Sequence, residues 1–337
     1  MPDVQEVFRM STQKVRQDPG AMERQHTRQS KAQRNRKLGA FAVVGCLAAA
    51  VVVAAVVASD RRSDPAPSVA ARPGSTSQTL RIVDVGSGAG TPFTVPLGAG
   101  DFDFSLDGSM VTYSEPDEDG ISQVFLMAAD GSNVRQLTHG EADATDPEWS
   151  FDGSMIAYVS TTSSPSEIFT VRVSKGASTR VTNERRDAWD PNWAPDGRSI
   201  VFSTPNRDIG HVVTMSIELA TGQTGLIVSD GDRPALSPDG TLIAFESFLK
   251  PDVRLMLASS DGSERRVIAR LPNARSTIDG NGFAEWSPDS TRVAYHGSSS
   301  EGDRAGTYVY DVASGERRFV TAGMIEGWVD DEHVLVS

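Results

Sequence analysis

Residues 147–160 read PEWSFDGSMIAYVS, and this stretch decides the fold. An aromatic residue, Trp149, precedes a turn-forming Asp152-Gly153 pair, and a run of apolar and aromatic residues follows that pair. Asp favours tight turns, and Gly readily takes the positive φ that a short hairpin connection requires. The stretch therefore predicts two antiparallel strands joined at Asp152-Gly153.

The same pattern recurs at nearly constant spacing. The steps between the turn aspartates are 45, 44, 43 and 50 residues, and these aspartates are Asp107, Asp152, Asp196, Asp239 and Asp289. A degenerate sixth copy spans residues 327–331. Two further β-rich runs follow each complete copy, which gives four strands in about 43 residues, the expected size of a β-propeller blade.

The two ends of the repeat region decide the number of blades. The sixth copy supplies only two strands, whereas residues 79–85 and 91–96 have the pattern of third and fourth strands without a preceding Asp-Gly hairpin. Joining these two halves closes the ring and removes its open sheet edges. We therefore expect an all-β fold, a six-bladed β-propeller of four-stranded blades over residues 79–337, in which the N-terminal strands complete the last blade.

On these residues the sequence resembles a known family. The run Pro-x-Trp-Ser-Pro-Asp-Gly-x-x-Ile-Ala-Phe/Tyr together with a Leu-Thr strand, as in residues 135–160 and 179–203, is similar to the TolB-type, WD-repeat-like propeller repeat. The resemblance covers residues 79–337 and implies the fold. Propellers of this type serve as protein-docking modules, as gating domains of serine peptidases and as scaffolds of sugar lyases, so the resemblance leaves the function open.

Charge is distributed unevenly along the 337 residues, which carry −13 in total. Residues 1–37 contain nine Lys or Arg and four Asp or Glu, whereas the rest of the chain contains 23 and 41. An acidic protein of this kind is not suited to bind nucleic acid, which requires a basic surface. Residues 38–58 lie after the basic block and contain 21 residues without a charge. At about 1.5 Å per residue this segment is long enough to cross a ~30 Å hydrocarbon core as a transmembrane helix.

The apolar segment has two alternative interpretations. A cleaved signal peptide would use Val56 and Ala58 as its small-residue site, but such peptides have shorter apolar regions of about 7–15 residues. A lipoprotein would be modified at Cys46, although the apolar run continues for twelve residues beyond it. We therefore favour an uncleaved signal anchor.

The basic flank predicts the orientation, because Lys and Arg are retained in the cytoplasm. Residues 1–37 are then a basic cytoplasmic tail, residues 59–78 a Pro/Ser/Ala linker and residues 79–337 an extracytoplasmic propeller at the cell membrane. In the tail, Val4, Val7 and Phe8 fall near one face of a predicted helix and could dock a cytoplasmic regulator. The alternative is a solvated tail whose basic residues lie against anionic lipid headgroups.

The sequence offers no credible catalytic constellation. It lacks the Gly-x-Ser-x-Gly, HExxH, CxxC and P-loop patterns, and the histidines of the propeller region, His139, His211, His296 and His333, belong to four different blades. Trp149 and its counterparts occupy one phase of the repeat, which indicates blade packing. We therefore expect no enzyme, no catalytic residue and no metal centre.

One feature exceeds what folding requires: acids occur where each blade's innermost strand begins. In a propeller these positions surround one mouth of the channel, where a ring of acids attracts a cation or a basic peptide. The predicted ring consists of Asp101, Asp103, Asp143, Asp146, Asp187, Asp190, Asp230, Asp232, Asp279 and Glu326. The alternative is that these acids cap strands and turns or keep the domain soluble. No cofactor is expected, apart from calcium as an alternative occupant of the channel.

The sequence thus favours a non-enzymatic single-pass membrane protein that presents an extracytoplasmic propeller to a protein, a basic peptide or another ligand. A second hypothesis is a membrane-bound sensor whose tail docks a regulatory protein. A third is a metal-assisted lyase or hydrolase that uses the acids at the channel mouth.

Overall fold

A computed structural model describes residues 77–337 except 162–164, 175–176, 184–185, 209, 249–252, 272–283 and 298–303. These described residues all fall in the second of the two units into which the chain divides, residues 69–337. The predicted tail with Val4, Val7 and Phe8, the predicted membrane helix and most of the linker lie outside the described residues. Within the described part of the chain, no helix has the length and apolar character needed to cross a membrane.

The described residues form six antiparallel sheets of four strands each. Five blades are contiguous in sequence, and the sixth, here called the closing blade, combines strands from both ends of this region. The first and second blades contain β3 (Gly100–Phe104), β4 (Met110–Pro116), β5 (Ser122–Ala128), β6 (Arg135–Gln136), β7 (Ala144–Trp149), β8 (Met155–Ser160), β9 (Glu167–Arg172) and β10 (Ser178–Arg180). The third and fourth blades contain β11 (Trp189–Trp193), β12 (Ser199–Asn206), β13 (His211–Glu218), β14 (Thr224–Val228), β15 (Gly231–Leu236), β16 (Leu242–Ser247), β17 (Val253–Ser259) and β18 (Arg266–Leu271). The fifth contains β19 (Glu285–Trp286), β20 (Arg292–Gly297), β21 (Gly306–Asp311) and β22 (Arg317–Thr321).

The closing blade confirms the predicted closure. It consists of β1 (Ser77–Asp84), β2 (Gly90–Pro96), β23 (Ile325–Trp328) and β24 (His333–Val336), in the spatial order β2-β1-β24-β23. β1 pairs with β24 so that Ile82 lies opposite Leu335. The strand begins at Ser77, two residues before the expected boundary, because Ser77 and Gln78 still pair with the end of β2.

The repeated tryptophans are buried, and three of them bond to the preceding blade. Trp193 Nε1 donates to the carbonyl of Glu148, and Trp286 and Trp328 donate in the same way to Ala235 and Glu285, over 2.9–3.1 Å. Apolar clusters between adjacent blades surround these rings. The indoles therefore hold the inner strands in register around the channel, as the packing interpretation predicted.

The repeated Asp of the turn is also structural. Asp152 Oδ1 accepts hydrogen bonds from the Ser154 amide and the Ser150 hydroxyl, at 2.9 and 2.8 Å. These bonds, with the Ser154 amide contributing most, lower the pKa of Asp152 below its ordinary value. The Gly153 amide closes the turn by donating to the Ser150 carbonyl at 2.8 Å. The turn aspartates thus lie in the short connections between the first two strands, away from the predicted mouth.

Candidate functional site

The four inner strands of the first to fourth blades share an irregularity that creates the site. Each contains a β-bulge, and the bulge residue has a positive φ of 51° at Asp101, 49° at Asp146, 48° at Asp190 and 52° at Arg233. This left-handed conformation is uncommon for residues with a side chain, and bulges re-aim side chains at barrel rims and active sites. All four residues line the same cavity in the channel.

We name the set Asp101, Asp146, Asp190, Arg233 and Glu326 the mouth layer. It lines a cavity of about 60 Å³ that is partly open to solvent. A water molecule needs at least 10–15 Å³ of such space, so the cavity can hold a few waters, an ion or the tip of a side chain. The mouth layer therefore suits the end of a longer ligand better than a bulky molecule.

The carboxyls of the mouth layer are not ordinary surface acids. Burial, with a contribution from the nearby Asp101, raises the pKa of Asp146 to about 7. Burial and the charges of Asp146 and Asp232 raise the pKa of Asp190 well above its usual value. The Oδ2 atom of Asp190 is buried and accepts no hydrogen bond from the described residues. A cation bound in this cavity would place a positive charge next to these carboxyls and favour their ionised form.

Arg233 interrupts the acids of the mouth layer and partly neutralises them. Its guanidinium forms an ion pair with Glu246 at 3.3 Å, and both side chains are largely buried. Its charge also lowers the pKa values of Asp146 and Asp190, although burial outweighs this effect. The ring is therefore acidic on the first to third blades and basic on the fourth.

A second set, the inner layer, lies further along the inner strands and consists of Asp103, Glu148, Asn192, Ala235 and Glu285, of which all but Asp103 also line the first cavity. These residues contribute to a second cavity of about 80 Å³. Two of them bond to the next blade. Asp103 Oδ2 accepts the Trp149 amide at 2.7 Å, and Asn192 Oδ1 accepts the Leu236 amide at 2.8 Å. The inner layer thus combines a structural role with a charged lining.

Burial is the largest cause of the raised pKa values in the inner layer. It raises the pKa of Asp103 to about 7 and, with help from Asp103, that of Glu285 to about 8. Burial and the neighbouring charges of Asp103 and Glu285 raise the pKa of Glu148 well above its ordinary value. Asp103 and Glu148 are also hydrogen-bonded to each other. At neutral pH these carboxyls therefore share protons, which is how closely spaced buried acids avoid repulsion.

The structure brings together only part of the predicted ring. Asp101, Asp146, Asp190 and Glu326 line the outer cavity, and Asp103 lines the inner one. Most of these residues lie within the inner strands and not in the loops that precede them, because the bulges turn residues inside the strand toward the channel.

The remaining predicted acids bond to the protein itself. Asp143 and Asp187 accept the amides of Ser122 and Ser166, both at 2.9 Å. Asp230 pairs with Arg265 at 2.6 Å. These contacts match the alternative interpretation, in which some acids stabilise strand ends.

Two predicted acids need separate mention. Asp232 accepts the indole N–H of Trp189 at 3.0 Å, and it does not line either cavity. Asp279 lies outside the described residues. In the described part of the chain, no group of three or more His, Cys, Asp or Glu is placed to hold a metal ion. Calcium in the channel stays a prediction.

Sequence reasoning missed Glu148, Glu285 and Arg233. A signal for each was present, because Glu148 and Glu285 immediately precede the repeated tryptophan, as Asp103 precedes Phe104. Arg233 precedes Pro234 in the same way that the acids of the second and third blades precede a proline. Aligning the repeats by position, and not by acidic character, would have found all three.

Fold and site together define a closed six-bladed β-propeller with a charged central channel. The TolB beta propeller domain family matches residues 81–278, which is more than half of the chain. The chain belongs to this family. No curated protein matches it.

Solved structures share the fold at low sequence identity. A protein described as a TolB from Agrobacterium tumefaciens has 17% identity and a TM-score of 0.62, over 78% of this chain and 98% of that one. TolB from Acinetobacter baumannii has 14% identity and a TM-score of 0.56, over 77% and 63%. An oligogalacturonate lyase from Vibrio parahaemolyticus has 17% identity and a TM-score of 0.50, over 72% and 73%. At these identities the likeness concerns the fold alone, and it includes both TolB proteins and an enzyme.

Proposed function

We propose that this chain is a non-enzymatic, single-pass membrane protein that presents its propeller outside the cytoplasm and binds a basic segment of a partner protein at the mouth layer. The observation that carries the proposal is the convergence of Asp101, Asp146 and Asp190, from three consecutive blades, on one open cavity. Each aspartate has the same uncommon backbone conformation, so the repeat places three carboxyls at the end of the channel.

The electrostatics support a cationic occupant. The cavity collects acids whose pKa values are raised by burial and by the charges of neighbouring aspartates. A lysine or arginine side chain could enter a cavity of this size, whereas a folded domain could not. Clefts lined by one sign of charge also accelerate association with an oppositely charged partner, and this effect weakens with salt.

A binding titration tests the proposal. The probe is a fluorescent hexalysine peptide, added to the purified full-length chain at low and high salt. We expect salt-sensitive binding that the double substitution Asp146→Asn with Asp190→Asn weakens at least tenfold. Glu118→Gln serves as the matched control, because Glu118 is an exposed acid in the turn between β4 and β5, outside both cavities. Equal affinity of the wild type and the double variant for the peptide would contradict binding at the mouth layer.

Membrane topology needs its own test. Single cysteines at positions 11 and 109, Ser11→Cys and Ser109→Cys, are introduced separately into a Cys46→Ser background. A membrane-impermeant maleimide added to intact cells should label position 109 and leave position 11 unlabelled until the cells are lysed. Labelling of position 11 in intact cells would contradict the cytoplasmic assignment of the tail. The docking role of Val4, Val7 and Phe8 is a separate proposal, which Phe8→Asp would test by releasing a tail-bound protein without loss of membrane insertion.

A further inference from the structure

One carboxyl group of the mouth layer lacks a hydrogen-bond donor for one of its oxygens. The Oδ2 atom of Asp190 is buried and accepts no hydrogen bond from the residues that the structure describes. A buried carboxylate oxygen without a donor is unfavourable, because the charged form has lost water and gained nothing in return. Two changes can relieve this: the carboxyl takes up a proton, or a positive charge enters the cavity that Asp190 lines.

The surroundings of Asp146 and Asp190 are mostly acidic. The other charged groups that line this cavity or act on the two aspartates come from six strands: Asp101 on β3, Glu148 on β7, Asp232 and Arg233 on β15, Glu246 on β16, Glu285 on β19 and Glu326 on β23. In this set only Arg233 is positive, and it pairs with Glu246 at 3.3 Å. The two aspartates therefore face more negative than positive groups.

The backbone prevents the carboxyls from moving apart. Asp101, Asp146 and Asp190 each lie at a β-bulge within a paired inner strand and have the same positive φ. Asp101 is held further by the Ser114 hydroxyl, which donates to its Oδ2 atom at 2.6 Å. Because the strands fix these positions, repulsion between the acids is relieved by a change of charge and not by a change of conformation.

The pKa values have the direction that this geometry requires. Burial, with the charge of Asp101, raises the pKa of Asp146 to about 7, and burial with the charges of Asp146 and Asp232 raises that of Asp190 well above its usual value. Near neutral pH the empty mouth layer therefore holds protons. A lysine or arginine side chain in the cavity favours the ionised carboxylates and lowers their pKa values. Occupancy by a basic side chain and loss of protons are therefore linked.

We propose that the mouth layer binds its basic segment in exchange for protons carried by Asp146 and Asp190, so that affinity falls as the surroundings become acidic. This inference rests on the proposed function, because it describes the regulation of the same site. Each carboxyl that ionises releases one proton to the solvent, and the basic side chain keeps its own charge. The propeller then holds its partner at neutral and alkaline pH and releases it in acid.

A titration at two pH values tests the exchange. The probe is a hexalysine peptide whose N-terminus carries the fluorophore, because a free α-amino group itself titrates at about pH 7.7–8.0. It is added to the purified full-length chain at pH 5.5 and at pH 8, at equal ionic strength. Lysine is charged at both values, whereas a carboxyl with a pKa of about 7 is almost fully protonated at pH 5.5. We expect affinity at least about tenfold weaker at pH 5.5.

Variants locate the protons. The double substitution Asp146→Asn with Asp190→Asn imitates the protonated form, so its affinity at pH 8 should equal that of the wild type at pH 5.5 and should not change with pH. Asp143→Asn is the matched control, because Asp143 is exposed and lines neither cavity. Its Oδ1 atom accepts the Ser122 amide at 2.9 Å, and asparagine can accept the same bond. This control should keep the pH dependence of the wild type.

Calorimetry of the wild type decides the question even if the double variant does not fold. The same binding is measured at pH 7 in phosphate and in Tris, whose heats of ionisation differ, and the difference in heat counts the released protons. We expect release of at least about half a proton per bound peptide, since Asp146 has a pKa of about 7.

The outcomes separate the exchange from the proposed function. Binding with equal affinity at both pH values, binding without proton release, or a double variant that keeps the full pH dependence would overturn the exchange and leave binding at the mouth layer standing. Absence of binding at both pH values would contradict the proposed function itself, and the exchange with it.

Discussion

The second and fourth blades have the same four strands and the same turn, yet they carry opposite charges at two corresponding positions. The bulge residue is Asp146 in the second blade and Arg233 in the fourth. The residue near the start of the third strand is Glu167 in the second blade and Arg254 in the fourth. Because the backbone is the same, the difference shows that the repeat fixes where side chains point, whereas the identity of each side chain sets the chemistry of each blade.

The largest expected effect comes from pH, which acts on buried acids of the channel in the first, second and fifth blades. The pKa values of Asp103 and Asp146 are raised to about 7 and that of Glu285 to about 8. Carboxyls with a raised folded-state pKa bind protons more tightly when folded, so their stabilisation is complete below about pH 4 and is lost as the pH rises toward 8. Denaturant unfolding at pH 5 and pH 8.5 should show lower stability at pH 8.5, and Asp146→Asn should reduce the difference. An equal free energy of unfolding at both pH values would contradict the raised pKa values.

Removing the arginine of the fourth blade should have the next largest effect. Arg233→Ala leaves Glu246 buried without its ion-pair partner, which typically costs about 3 kcal/mol or more. The loss should be larger at pH 8 than at pH 5, because burial raises the pKa of Glu246 to about 7 and the group is neutral in acid. Adding Glu246→Gln should recover most of the loss at pH 8. In the second blade the corresponding change, Asp146→Asn, should raise stability at pH 8. If Arg233→Ala and Asp146→Asn both raised or both lowered the free energy of unfolding, the proposed difference between the two blades would be refuted.

A smaller effect is expected from Thr182, which bonds to Glu167 at the start of the third strand of the second blade. Thr182 accepts the Ile168 amide at 2.9 Å and donates to Glu167. Thr182→Val leaves these buried groups unsatisfied and should lower the free energy of unfolding by about 2 kcal/mol. Thr179→Val, on the exposed face of β10, should change it by less than about 0.5 kcal/mol. Equal effects of the two substitutions would show that the threonine does not stabilise this position.

The smallest effect should be equal in the two blades. Asp152 and Asp239 make the same turn, each accepting a serine hydroxyl and an amide two residues ahead. Alanine at either position should cost about 1 kcal/mol, because one set of local hydrogen bonds is lost. A difference of more than about 1 kcal/mol between the two variants would show that the blades differ at both ends and not only near the mouth.

The fold was predictable because its determinants are local and repeated. The Trp149 and Asp152 positions recur with a nearly constant step, and closure followed from the two strands that the sixth copy lacks. The first strand includes two residues before the predicted run, since nothing in Ser77 or Gln78 distinguishes a strand end from a linker.

The site was less predictable because its geometry depends on the bulges. One extra residue in a strand changes which side chains face the channel, and this change is invisible in an alternating pattern. Asp143 and Asp187 were therefore grouped with Asp146 and Asp190, although they bond to neighbouring amides. The search for acids alone also left out Arg233, whose significance depends on its buried partner Glu246.

The closing blade also imposes an order on biosynthesis. β1 ends at Asp84 and its partner β24 begins at His333, so the ribosome must add about 250 residues between them. At about 5–20 residues per second, β1 waits roughly 12–50 s before its partner exists. During this interval the edge of β1 is an open template for wrong pairing, and a chaperone that shields it would have most effect there. The feature that gives the finished ring its closure therefore makes the nascent chain most vulnerable at its first strand.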